Sequence, residues 1–160
     1  MPEAKTLLPP QLLGWLSKHN VIIELILVVL ILTTYFTTSP GGILMVRILL
    51  VSMLTLASLY FVSALFISPV QELYGIIAMK VVPIASSVCV IGILFRLLGL
   101  SGALQMIMIG LLSIALGGLL LLLGWGKSQN KHYIPSLIRS LVLGTLTAWI
   151  FFSELSKPIP

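Results

Sequence analysis

The chain of 160 residues contains no aspartate, four glutamates, two histidines and one cysteine. With Cys89 as the lone thiol, neither an intramolecular disulfide nor a multi-cysteine metal or cluster site can form. No histidine-rich or aspartate-containing motif is present to carry hydrolysis or group transfer, so the expectation is a protein that is not an enzyme and that holds no metal and no cofactor. His19 and His132 both fall outside the apolar runs, which removes the mid-membrane histidine pair that a haem-carrying helix bundle requires. Charge is equally scarce: 8% of residues are charged, against about a quarter in soluble domains. The net charge of +5 comes from lysines and arginines dispersed singly at the ends of apolar runs, the placement of topology determinants, and nucleic acid is not an expected partner.

What the chain has instead is apolar length. Hydrophobic residues make up 59% of it, and a segment of roughly 20 apolar residues crosses a hydrocarbon core of about 30 Å. The pattern predicts an all-α, polytopic membrane protein that is a single membrane domain over residues 1–160, with about five transmembrane helices arranged as two repeated hairpins plus one helix. Residues 1–20 read as a cytoplasmic and interfacial segment in which Pro10 opens a short helix and Trp15 anchors it at the headgroups. A basic stretch before the apolar residues 21–32 has the layout of a signal peptide, but Glu24 interrupts the apolar core, and a retained first span over residues 21–37 is expected.

The first hairpin covers residues 21–67 and reverses at Thr38-Ser39-Pro40-Gly41-Gly42, a cluster of turn formers. The second covers residues 74–125 and reverses at Gly99-Leu100-Ser101-Gly102, with Pro83 either starting its first helix or kinking it. Residues 70–80 are too mixed to assign between an interfacial helix and the start of that span. A polar linker then leads to a fifth helix over residues 135–152. Sliding the chain by 61 residues lays Ile48, Leu50 and Ser52 on Ile109, Leu111 and Ser113, which is the motive for reading the hairpins as copies.

With five spans, Lys5, Lys18, Lys80, Lys127, Lys131 and Arg139 share the amino-terminal side, against Arg47, Arg96 and Lys157 opposite. The positive-inside rule then puts the amino terminus of this multi-pass chain in the cytoplasm and the carboxy terminus outside.

Within residues 84–115 the run Val90-Ile91-Gly92-Ile93-Leu94-Phe95-Arg96, followed by Gly102-Ala103, Met106 and Ile109-Gly110-Leu111-Leu112-Ser113, resembles the transmembrane hairpin of the GldL family. That family forms the inner-membrane stator of the Bacteroidetes gliding and type IX secretion motor. The resemblance implies a hairpin fold in a bacterial inner (plasma) membrane and association with other membrane proteins. It does not carry over motor activity, because Ile114 stands where the family has its intramembrane Glu, and Leu100-Ser101 replaces the family's aromatic-Pro turn.

Glu24 is the acid placed within an apolar run, about one turn from the cytoplasmic end of the first span. An ionisable group inside a bilayer costs about 3 kcal/mol near a helix centre on insertion scales. Two roles are open to it: an ion or proton site, or an ion pair with Lys18, Lys80 or Arg139 from the same side. Arg47 and Arg96, near helix ends, reach the lipid headgroups together with Trp15. Cys89, Ser86 and Ser87 have no accompanying base and are expected to pack or hydrogen-bond between helices. Gly110, Ser113 and Gly117 on one helix, and Ser140, Gly144 and Ala148 on the next, are small-residue stripes suited to close helix packing; whether they face each other or another protein is open. The functional expectation is a non-catalytic integral membrane subunit or accessory protein of a larger inner-membrane complex, in contact with the bilayer and with other integral membrane proteins. The alternative is a small transporter or ion channel, oligomerising as a homo-oligomer around a path lined by Glu24, Ser86, Ser87 and threonine residues.

Overall fold

The computed structural model describes residues 10–37, 43–65, 72–128 and 133–155. They form five helices: α1 (Pro10–Thr37), α2 (Ile43–Ser63), α3 (Leu73–Leu97), α4 (Ala103–Ser128) and α5 (Tyr133–Leu155). No strand occurs among the described residues, as expected where a backbone in lipid must satisfy its own hydrogen bonds. The chain is therefore all-helical and polytopic. Four helices carry segments long and apolar enough to cross a membrane: Val46–Ser63, Leu73–Leu97, Ala103–Gly126 and Tyr133–Phe152.

The first helix departs from the sequence-based expectation at its start: the anticipated break between an interfacial helix and a span is absent, and α1 runs unbroken for 28 residues from Pro10 through the whole of the expected span over residues 21–37. Helical propensity carries through Gln11 to Asn20 because nothing there lacks an amide hydrogen or forces a turn. The undecided residues before Lys80 also resolve, since Leu73 to Lys80 are the first turns of α3 and Pro83 lies inside that helix rather than at its start. The reversal at residues 38–42, expected from its Pro-Gly-Gly chemistry, lies outside the described residues, as do residues 1–9, 66–71, 129–132 and 156–160.

The α3–α4 reversal shows how the chain turns. Leu100 N donates to Phe95 O at 2.9 Å and Gly99 N to Arg96 O at 3.1 Å, the paired bonds of a Schellman cap with Gly99 in the left-handed region at φ 66. Gly102, at φ 85, then offers its carbonyl to Met106 N at 3.1 Å and opens α4.

Consecutive helices are antiparallel neighbours, and α5 folds back on α3 as well as on α4. The α3–α4 seam is the closest. A Cβ at Gly110 would stand 2.5 Å from Cys89 Sγ, one at Gly117 2.7 Å from Val82 Cγ2, and one at Gly92 3.0 Å from Ile107 N. Glycine at these positions removes the side chain that would hold the helices apart, which matters in lipid, where packing rather than water expulsion drives association. On the other side of α4, Gly118 meets Ser140 Oγ at 3.5 Å, and Gly144 of α5 meets Ile114 at 3.4 Å, measured from the Cβ each lacks.

The α1–α2 hairpin joins this three-helix unit through α2. Leu49, Met53, Leu56 and Tyr60 of α2 share one buried cluster with Ala85, Cys89, Val90 and Leu94 of α3, and Ile23, Leu27 and Ile31 of α1 pack on it from outside. The 61-residue offset carries the buried residues Leu49, Met53, Leu56 and Tyr60 onto Gly110, Ile114, Gly117 and Leu121 of α4, all buried. Thus α2 and α4 turn the same register inward, α2 with four large residues and α4 with glycine alternating with a large aliphatic. Outward-facing residues such as Leu116 (64% exposed), Leu141 (68%) and Trp149 (77%) form an apolar exterior suited to lipid.

Candidate functional site

Glu24 points into the protein because it shares the packed stripe of α1 with Leu27, Val28 and Ile31, at the i, i+3, i+4 and i+7 spacing of one helical face. Opposite it on α2 is Tyr60, 1% exposed, and arriving from α5 is Arg139. The Tyr60 hydroxyl donates to Glu24 Oε1 at 2.7 Å. Arg139 Nε donates to the same oxygen at 3.0 Å, while Arg139 Nη2 donates to Oε2. The guanidinium also lies over the Tyr60 ring, 5.0 Å from its centroid, within cation–π range. Three donors from two other helices therefore hold one carboxylate.

The arrangement is electrically neutral and largely enclosed, with Arg139 10% and Glu24 18% exposed. Either charge alone at this depth would carry the bilayer penalty. Together, in bidentate geometry, they offset it. Since α1 packs along α2 and makes no close backbone approach to α5 among the described residues, this pair is the tie between the first helix and the last.

Lys80, expected on the same side, does not join them. Its ammonium lies 3.4 Å from the Ala64 carbonyl, at the carboxy-terminal end of α2, where a cation meets unpaired helix carbonyls favourably. Asn20, one turn before Glu24, has a buried Oδ1 without a hydrogen-bond partner among the described residues. No group of three His, Cys, Asp or Glu side chains is arranged to hold a metal among the described residues.

The stripes Gly110–Ser113–Gly117 and Ser140–Gly144–Ala148, whose orientation the sequence left open, are turned inward. Gly110 and Gly117 abut α3, Ser140 and Gly144 abut α4, and Ser113 and Ala148 are half-buried beside them. Ile114, between the glycines of its stripe, is 3% exposed and packs against Gly144.

The residues of the alternative pathway are similarly engaged. Ser86, fully buried, donates to the Val82 carbonyl at 2.8 Å, and Ser87 is buried beside it. Thr55 and Thr145 likewise bond the carbonyl four residues back, a local pairing that leaves hydroxyls turned to their own helix. Arg47 and Arg96 are exposed near helix ends. The side chain of Trp15 lies outside the described residues, although its backbone belongs to α1.

Tyr60 is the member of the site that sequence reasoning missed. A signal was available: Glu24 and Tyr60 each lie eighteen residues from Gly42, so a hairpin reversing there sets them at one level. Compared with protein families, curated proteins and solved structures, the chain matches none.

Proposed function

We propose that the chain is a non-catalytic integral subunit of a larger assembly in a bacterial inner membrane, with its amino terminus cytoplasmic and α1 serving as a fifth span beside α2. The observation that carries this reading is the occupancy of Glu24: both of its oxygens are held by this chain's own Arg139 and Tyr60. An acid so engaged fastens helices together. It is not placed to abstract a proton from a substrate or to pass an ion along, and the hydroxyls of Thr55, Ser86 and Thr145, which would continue a polar path, are bonded to their own helix backbones.

Support for a partner comes from the edge of the bundle, where α1 packs its backbone along α2 and reaches α5 through the Glu24–Arg139 pair. Its remaining flank, including Val21, Leu25 and Ile26, is apolar and open to a neighbouring helix. Because the small-residue stripes are consumed inside the chain, partner contact falls to such outer faces. The resemblance of residues 84–115 to the GldL hairpin supports the same reading, as a bacterial membrane hairpin without the motor's acid. The transporter alternative requires the Glu24–Arg139 pair to open.

The test is mild-detergent purification of the tagged protein from its native membrane, with native-mass analysis and identification of every bound chain. A defined set of partners is the expected result. A lone monomer, or a homo-oligomer without partners, contradicts the subunit reading, and the homo-oligomer turns attention to the transporter.

A further inference from the structure

From the ion pair toward the amino-terminal end of α2, α1 and α2 border a groove of about 350 Å³. Leu27 and Leu30 of α1 form one wall and Leu44, Ile48 and Val51 of α2 the other, with Arg47 near one end. The polar residues that border it, Ser52 and Thr55, donate their hydroxyls to the carbonyls of Ile48 and Val51, so they present little beyond hydrocarbon. Arg47, the fifth residue of α2, is exposed and has no acidic partner among the described residues.

The dimensions are those of one leaflet. The lining of α2 from Leu44 to Thr55 covers about 16 Å at 1.5 Å per residue, and half of a hydrocarbon core is about 15 Å. The groove therefore starts near the helix end and stops near the bilayer midplane, with Arg47 toward its headgroup end and, among the described residues, no charged side chain lining its inner end. We infer that this groove holds one acyl chain of an anionic phospholipid whose phosphate is bound by Arg47. The acyl chain supplies apolar contact, Arg47 supplies charge complementarity, and the bound lipid occupies the groove that the two helices border.

The experiment titrates delipidated protein in detergent with phosphatidylglycerol and, separately, with phosphatidylcholine, counting bound lipids by native mass spectrometry. Wild type is expected to retain one phosphatidylglycerol in preference to phosphatidylcholine. Arg47→Gln weakens that retention about fivefold, the effect of one basic residue at an anionic surface. Val51→Trp fills the groove from a position 65% exposed, spares the headgroup contact, and removes the retained lipid. Unchanged thermal midpoints in both variants show that the bundle is intact. Equal retention by all three proteins overturns the inference, as does retention that only Val51→Trp reduces, since the phosphate contact is then idle. A dimer that Val51→Trp dissociates would assign the groove to a second copy and also overturn it.

Discussion

Replacing Arg139 by methionine leaves the Glu24 carboxylate with the Tyr60 hydroxyl as its remaining donor, in a setting where the two charged side chains are only 10% and 18% exposed. Removing one partner of a buried pair costs about 3–5 kcal/mol, because the other charge stays behind uncompensated. Glu24→Leu does the same to Arg139, with a loss near the lower end, about 3 kcal/mol, since the arginine left behind can partly reach the headgroups; Arg139→Met is expected to cost about 3 kcal/mol as well, because the Tyr60 hydroxyl still holds the carboxylate. The double variant Glu24→Leu/Arg139→Met removes both charges and substitutes apolar groups of similar size, so it should lie within about 1 kcal/mol of wild type. The two single losses would then fail to add by about 5 kcal/mol, far above the roughly 0.6 kcal/mol average found for interhelical hydrogen bonds in a membrane bundle. Reversible unfolding in mixed detergent micelles, followed by circular dichroism, reads all four proteins. Additive losses, or single variants within about 0.5 kcal/mol of wild type, would refute the assignment of this pair as the tie between α1 and α5.

Tyr60→Phe keeps the ring 5.0 Å beneath the Arg139 guanidinium but deletes a donor to a charged oxygen, and a loss of about 1.5–3 kcal/mol is expected in the same unfolding assay. Gly110→Ala places a Cβ 2.5 Å from Cys89 Sγ and 3.1 Å from the Cys89 backbone nitrogen, so α3 and α4 must separate and stability should fall by about 1–3 kcal/mol. Gly118→Ala, which meets Ser140 Oγ at an ordinary 3.5 Å, should be neutral or gain up to about 1 kcal/mol of helix propensity. Cys89 is fully buried in that seam, so a maleimide should label it only after denaturation; rapid labelling in intact membranes would contradict the packing.

Much of the architecture was legible because it follows from apolar length and turn chemistry. Gly99 and Gly102 announced the α3–α4 reversal, and each is needed there for its positive φ. The unbroken α1 was less legible: the change from polar to apolar between Asn20 and Val21 marks a change of surroundings, and a helix can continue through it. For the site, Glu24 and Arg139 stood out as charges among apolar residues, but Lys80 stood out equally, and only the rotation of α3 sends it to the Ala64 carbonyl instead. Tyr60 resembled any aromatic in an apolar helix, and its role emerges only once the hairpin register is fixed. The small-residue stripes were visible as stripes. Spacing alone cannot say which helix a stripe meets, because a glycine face fits this chain's own neighbour as well as a foreign one.

The most direct test of Glu24 as a structural fastening is flux through the protein in proteoliposomes, measured for protons, monovalent cations and chloride, with wild type and Glu24→Gln side by side. The expected result is no flux above empty liposomes for either protein. A wild-type flux that Glu24→Gln abolishes would place the carboxylate in a pathway and contradict the account.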